Sequence, residues 1–371
     1  MIRIRMGLLA LIVFLFSAFA SSACAATLGP AATYQELVSL LSASSDGDTI
    51  LIDGAIACTG DPLGTQHSIR IQAAGPEASL SALRLRDASV VFSGVSLDDS
   101  LSIDGTSHVQ LSSGARISGA SGKSALRFSG NGTLIIDRGC TVSAADGETG
   151  VNIQHTGGEF YGSIEGSVSG GANGGSGVVV SPLTSSGAIM IDGHIRGGDS
   201  SDHGGHALNL YDLSGNAYVT IAGNLRGGDG TIGGNGIQLV SAGDEVNVGI
   251  DADVKGGSGD VHAGDAMILM NAAGASSISL SGHLAGGDAS ESSGLPGTSL
   301  QLVGDSSASR AHILNCILED GRSYTAVPEP EVTPLPEIVE DELPVATPGE
   351  AIPESPESES VQTEETSSAE N

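Results

Sequence analysis

Short apolar pairs, each split by one outward-facing position, recur down the middle of the chain in three interleaved series. The first runs Leu101/Ile103, Leu126/Phe128, Val151/Ile153, Val178/Val180, Leu208/Leu210, Ile237/Leu239, Met267/Leu269 and Leu300/Leu302. The second runs Val109/Leu111, Leu134/Ile136, Ile189/Ile191, Val219/Ile221, Val248/Ile250, Ile278/Leu280 and Ala311/Ile313, with Phe160–Ile164 fitting its slot poorly. Single anchors form the third: Ile117, Val142, Val168, Ile195, Leu225, Val254, Leu284 and Ile317. An i, i+2 spacing places both side chains on one face of a strand. The period begins at 25 residues (Leu101 to Leu126 to Val151) and lengthens to about 30, too short for a strand plus a helix but enough for three short strands. The pattern predicts an all-β chain, a single-stranded parallel β-helix over 27–325. Seven to ten coils at about 4.8 Å each would make a rod of roughly 35–50 Å.

The N-terminal stretch "TYQELVSLLSASSDGDTILIDG" (33–54) starts with an amphipathic helix carrying Tyr34, Leu37, Leu40 and Leu41 on one side. It turns at Asp46-Gly47-Asp48 into a strand, Thr49–Ile52. An open β-helix end is an unpaired edge, so a covering helix is expected there. With "HSIRIQAAG" (67–75) and "SVVFSGVSL" (89–97), this segment resembles the entry to the pectin-lyase-like right-handed parallel β-helix superfamily. The resemblance covers about residues 33–97 and implies a right-handed coil. It implies no activity, because that superfamily holds lyases, hydrolases, adhesins and non-catalytic proteins.

The two ends have a different character. Residues 1–26 read as a secretory signal: Arg3 and Arg5, then apolar Gly7–Phe19, then small residues at Ala23-Cys24-Ala25-Ala26. The apolar run is too short for a membrane span. Lipidation at Cys24 is an alternative, although Ser21-Ser22-Ala23 lacks the aliphatic residue such a site prefers. Residues 326–371 hold eight of the chain's 13 prolines and thirteen acidic residues, so disorder and a spacer role are expected. "LPVATP" (343–348) is not a wall-anchoring signal. The expected location is extracellular.

Charge narrows the partners. A net charge of −30 argues against nucleic acid, whose affinity depends on Lys and Arg neutralising phosphates, and against anionic membranes. Three cysteines, Cys58, Cys140 and Cys316, remain after the leader and define no disulfide framework.

Candidate chemistry lies in the connections from third to first strands, which lengthen from nine residues (Ile117 to Leu126) to sixteen (Leu284 to Leu300). "GHIRGGDSS" (193–201), "GNLRGGDGT" (223–231), "ADVKGGSGD" (252–260) and "GHLAGGDAS" (282–290) recur there. Stacking would align Arg196, Arg226 and Lys255 in one column, with Ala285 next. His194, Asn224, Asp253 and His283 would form a second, and Asp199, Asp229 and Asp288 a third from which Asp260 is displaced. One interpretation is a strip that binds a polyanionic or neutral glycan or a cell surface, with Ca²⁺ on the aspartates, since that ion takes six to eight oxygens. The other is a scaffold corner, with glycines in left-handed conformations and Asp capping the turn. Asp202, His203, His206 and Asp265 are candidates for a transition metal, although a mobile glycine-rich loop favours an unpaired set.

No catalytic motif of the polygalacturonase kind is present; "HGGHAL" (203–208) is not one, and the chain has two lysines, Lys123 and Lys255. Lyases need clustered acids with a basic proton abstractor, and hydrolases need paired carboxylates. The expectation is therefore a structural or adhesin-like, carbohydrate-binding β-helix without a catalytic site or resident cofactor. A lyase or hydrolase acting on acidic glycans, and a repeat protein without a defined ligand, are the alternatives.

Overall fold

The protein is an all-β parallel solenoid, seen in a computed structural model that describes residues 25–184, 186–243, 245–271, 277–303 and, for the backbone, 310–318. Residues 1–24 and 319–371, which hold most of the expected signal and all of the expected tail, lie outside the described residues. Each coil contributes one strand to each of three faces, and every pairing is parallel.

On the first face Leu101, Leu126, Val151, Val178, Leu208, Ile237, Met267 and Leu300 pair in unbroken succession. On the second, Val90, Val109 and Leu134 do the same, as do Ile189, Val219, Val248 and Ile278. The inward residues are closed off from solvent: Leu101, Ile103, Leu126, Phe128, Leu208 and Ile221 are all 0% exposed. Fully burying one such side chain contributes about 1.5–3 kcal/mol, yet a single coil buries nothing until its neighbours cover it.

The awkward segment Phe160–Ile164 is in register after all. Gly162 pairs with Leu134 on one side and Ile189 on the other, so a glycine takes an aliphatic slot. A Cβ there would lie 3.3 Å from the Phe160 ring, so the ring occupies the volume that a Val or Ile would fill. Phe160 also packs on Phe128, ring centroids 5.1 Å apart, an arrangement aromatic pairs favour.

Two expectations need correction at the ends. Leu284 pairs with Leu318, and Ile317 stands opposite His283, because the last coil carries one extra residue between Ile313 and Cys316. A period count cannot see such a bulge. At the other end Thr27–Ala31 forms a strand that pairs with Thr49–Ile52, ahead of the coil that the helix was expected to cap. The helix, Tyr34–Ala43, packs against both strands. Its start is fixed by a capping box: Thr33 Oγ1 accepts from the Glu36 N–H, and the Glu36 carboxylate accepts from the Thr33 N–H. Leu37 is buried, and Tyr34, Leu40 and Leu41 are partly covered.

The glycine corner differs from the turn expected of it. None of Gly197, Gly198, Gly227, Gly228, Gly256 and Gly257 has a positive φ. They are glycine because backbone occupies the place of a Cβ: for Gly197, Gly227 and Gly256 it is the carbonyl of Gly205, Gly234 and Gly264, where the same connection returns, and for the second glycine of each pair it is the adjoining coil. A Cβ on Gly228 would fall into the carbonyl oxygen of Gly198, one on Gly257 into that of Gly228, and one on Gly287 into that of Gly257. A third glycine, where the chain returns, is equally constrained: a Cβ on Gly234 would meet the Gly205 carbonyl and one on Gly264 the Gly234 carbonyl.

The two columns are joined by hydrogen bonds that zigzag along the rod. Gly287 N–H donates to Gly264, Gly264 to Gly257, Gly257 to Gly234, Gly234 to Gly228 and Gly228 to Gly205, all at 2.8 Å. Buried backbone polar groups must be paired, and here they pair with one another. Since both ends of each connection are clamped, its middle can vary in length.

Candidate binding groove

The outward side of the third face carries a groove of about 510 Å³. Its floor is the outer surface above the anchors Val142, Val168, Ile195, Leu225 and Val254. Strand geometry places the residues on either side of each anchor outward. The pairing aligns them in two columns. Thr141, Ser167, His194, Asn224, Asp253 and His283 form one; Ser143, Ser169, Arg196, Arg226, Lys255 and Ala285 form the other. Five steps of about 4.8 Å make the strip roughly 24 Å long. One end presents hydroxyls; the other presents cations, imidazoles, an amide and a carboxylate.

The cations are already engaged. Arg196 donates from Nη2 to both Asp199 oxygens at 2.9 and 2.7 Å, and Arg226 to both Asp229 oxygens at 3.2 and 3.0 Å. Lys255 Nζ reaches Asp288 Oδ2 at 2.9 Å, in the next coil, because Ser258 stands where its own coil would need an aspartate. These aspartates also join coils. Asp199 Oδ1 accepts from the Asp229 N–H at 2.8 Å, and Asp229 Oδ1 from the Ser258 N–H at 2.7 Å. Partial burial alone would raise the Asp229 carboxyl. The Ser258 amide and the Arg226 and Arg196 guanidinium groups outweigh it and hold the group below its ordinary value. Asp260 lies off this column and accepts from the Ser290 hydroxyl.

The long connections are more ordered than mobile loops. Gly230–Ile232 and Gly259–His262 pair as a short sheet of their own, and isolated bridges extend the strip through His203↔Ile232 and His262↔Leu295. Ile232, Val261 and Leu295 are exposed along it.

The four residues considered for a metal are not brought together. Asp202 faces His203 at 3.0 Å, whereas His206 Nδ1 accepts from the Asn235 N–H at 2.9 Å. Asp265 Oδ1 accepts from both the N–H and the hydroxyl of Thr298. Among the described residues no group of three or more His, Cys, Asp or Glu side chains is arranged to hold a metal ion. Burial lowers the pKa of the His206 imidazole and also that of His155, whose Nδ1 accepts from the Thr184 N–H at 3.2 Å. Cys58 and Cys140 are buried free thiols, and burial pushes Cys58 up to about 11, so neither is a ready nucleophile.

The sequence pattern foresaw the Arg/Lys and His/Asn/Asp/His columns but missed the hydroxyl half of the groove. Its signal was available in principle: Thr141 and Ser143 flank the anchor Val142, and Ser167 and Ser169 flank Val168. Comparison of the chain with protein-family models, curated proteins and solved structures gave no match. No helix among the described residues is long and apolar enough to cross a membrane.

Proposed function

We propose that the groove binds a neutral polysaccharide lying along the rod axis, and that the protein is an exported, adhesin-like scaffold. The observation that carries this is the groove itself: a strip of stacked polar columns whose cations are already ion-paired. Arg196, Arg226 and Lys255 are matched by Asp199, Asp229 and Asp288, and Asp253 leaves the strip slightly negative on a chain of net charge −30. That balance disfavours a polyanion and suits hydroxyl groups, which the Ser, Thr, Asn and His side chains can both donate to and accept from and to which Arg can donate. The Asp carboxylates are committed to amides and cations, so binding does not call for Ca²⁺. On this reading the solenoid is right-handed, of the pectin-lyase-like kind, with the N-terminal apolar segment directing export and the acidic tail serving as a spacer.

A second reading, a repeat scaffold without a ligand, is favoured by the glycine and aspartate contacts, which account for the RGGD recurrence through coil stacking alone. A hydrolase is not favoured: among the described residues Asp253 is the one carboxylate lining the groove, and hydrolysis needs a flanking pair. Binding of neutral and uronate-rich polysaccharides to the full chain, with calcium and with a chelator, separates the readings. Retention by neutral glycans that is insensitive to the chelator and reduced at least tenfold by Asn224→Leu supports the proposal. No retention by neutral glycans, or retention unchanged in Asn224→Leu, refutes it.

A further inference from the structure

Asp48 sits in the turn between the helix and the strand Thr49–Ile52, and it is only 6% exposed. Its Oδ1 accepts from the Ala26 N–H at 2.8 Å and its Oδ2 from the Ser45 N–H at 2.8 Å. Both oxygens therefore rest on neutral amides. No Lys or Arg among the described residues lies within ion-pair distance of them. His67 pairs with Asp46 at 3.4 Å, and Asp46 in turn accepts from the Ser68 N–H. Burying a carboxylate costs less when a cation is paired with it, and among the described residues this one has only a weak favourable charge interaction with His67.

The sequence immediately before supplies the missing charge. Ala23-Cys24-Ala25 is a small-x-small triplet that follows the apolar run Gly7–Phe19 and the basic pair Arg3 and Arg5, the layout of a leader and its processing site. We propose that a signal peptidase hydrolyses the Ala25–Ala26 bond, and that the new α-ammonium group of Ala26 becomes the cationic partner of Asp48. The proposal rests on the export reading. Water adds across the peptide bond: Ala25 leaves with the leader as a carboxylate, and the Ala26 nitrogen takes up a proton. That nitrogen already lies 2.8 Å from Oδ1, so the amide contact becomes a charge-assisted one without rearrangement. The Ala26 carbonyl, which accepts from the Thr49 N–H at 2.9 Å, is retained. A cut one residue later would remove both contacts.

Asp48 is held below the ordinary carboxylate value by the Ser45 and Ala26 amides, so it is ionised when the amine appears. An α-amino group titrates ordinarily at about 7.7–8.0, and pairing with Asp48 raises its folded value. The resulting stability is complete below about pH 7.7 and disappears as pH rises through the raised value.

The test is intact-mass analysis of the full chain exported from a bacterial host, followed by thermal unfolding between pH 7 and 10. The expected mature chain begins at Ala26, and its melting temperature falls on the alkaline side more steeply than that of Asp48→Asn. A mature chain beginning at a lipid-bearing Cys24, at Thr27 or at any other residue overturns the assignment of the bond while leaving export standing. A chain that keeps Met1 overturns export and the proposal together. Equal alkaline profiles for the two proteins overturn the ion pair even where the cleavage point is right, and the mass readout stands if Asp48→Asn does not fold.

Discussion

The aliphatic faces and the glycine corner lie within one coil of each other and are specified by opposite means. On the faces, identity follows from filling: Leu208 or Ile221 can be exchanged for another apolar residue at a moderate cost, because the requirement is volume removed from water. In the corner, identity follows from exclusion: Gly198, Gly228 and Gly257 hold positions where the carbonyl of the preceding coil leaves no room for a methyl group. One region tolerates many sequences and punishes polarity. The other tolerates a single residue type and would be misjudged as a flexible loop.

Five substitutions sharpen that contrast, the largest effect first. Leu208→Asp or Ile221→Asp buries an unpaired carboxylate in a stacked apolar column and should cost several kcal/mol; denaturant titration of each variant should find it unfolded or far less stable. Gly198→Ala drives a methyl group into the Gly171 carbonyl of the preceding coil, an overpacking loss near the upper end of roughly 1–3 kcal/mol. Ile221→Val, one methylene on a face, should cost about 0.5–1.5 kcal/mol in the same titration. Asp229→Ala removes an exposed ion pair and one inter-coil amide contact, and should cost about 1 kcal/mol. A binding assay on this variant should show glycan affinity largely kept, because Asp229 does not line the groove.

Acid provides a smaller test. Burial lowers the folded pKa of His206 and His155, and each uses Nδ1 to accept a backbone N–H. The unfolded chain therefore binds protons first. Stability is full above the ordinary imidazole value of 6.5 and falls as pH drops toward the depressed folded values. Melting temperatures at pH 7.5 and 5.5 should differ in that direction, and His206→Gln should reduce the difference.

Most of the three-faced architecture was legible because an i, i+2 apolar pair leaves its mark whatever surrounds it. What escaped did so for identifiable physical reasons. Gly162 concealed a strand position because Phe160, two residues away, fills the space that an aliphatic side chain would mark. Leu318 displaced Ile317 because a bulge breaks the count without changing composition. The corner glycines were recognised but assigned the wrong cause, since sequence does not distinguish a residue that needs positive φ from one that needs close approach. Of the groove, the charged columns were visible as recurring RGG and KGG. The hydroxyl half was hidden, because serine and threonine beside a strand anchor look like any solvated face.

The account stands or falls on whether the repeated glycines are dictated by the neighbouring coil. The most direct measurement compares two glycine-to-alanine variants by thermal unfolding under one set of conditions. Gly228 meets the Gly198 backbone, whereas Gly249, on the outward side of the second face, has nothing within 4 Å of an added Cβ and no positive φ. Gly228→Ala should lower the melting temperature markedly, while Gly249→Ala should leave it unchanged or raise it by the equivalent of about 0.4–1 kcal/mol through the reduced freedom of the unfolded chain. Equal changes in the two variants, or a Gly228→Ala protein as stable as the parent, would contradict the account.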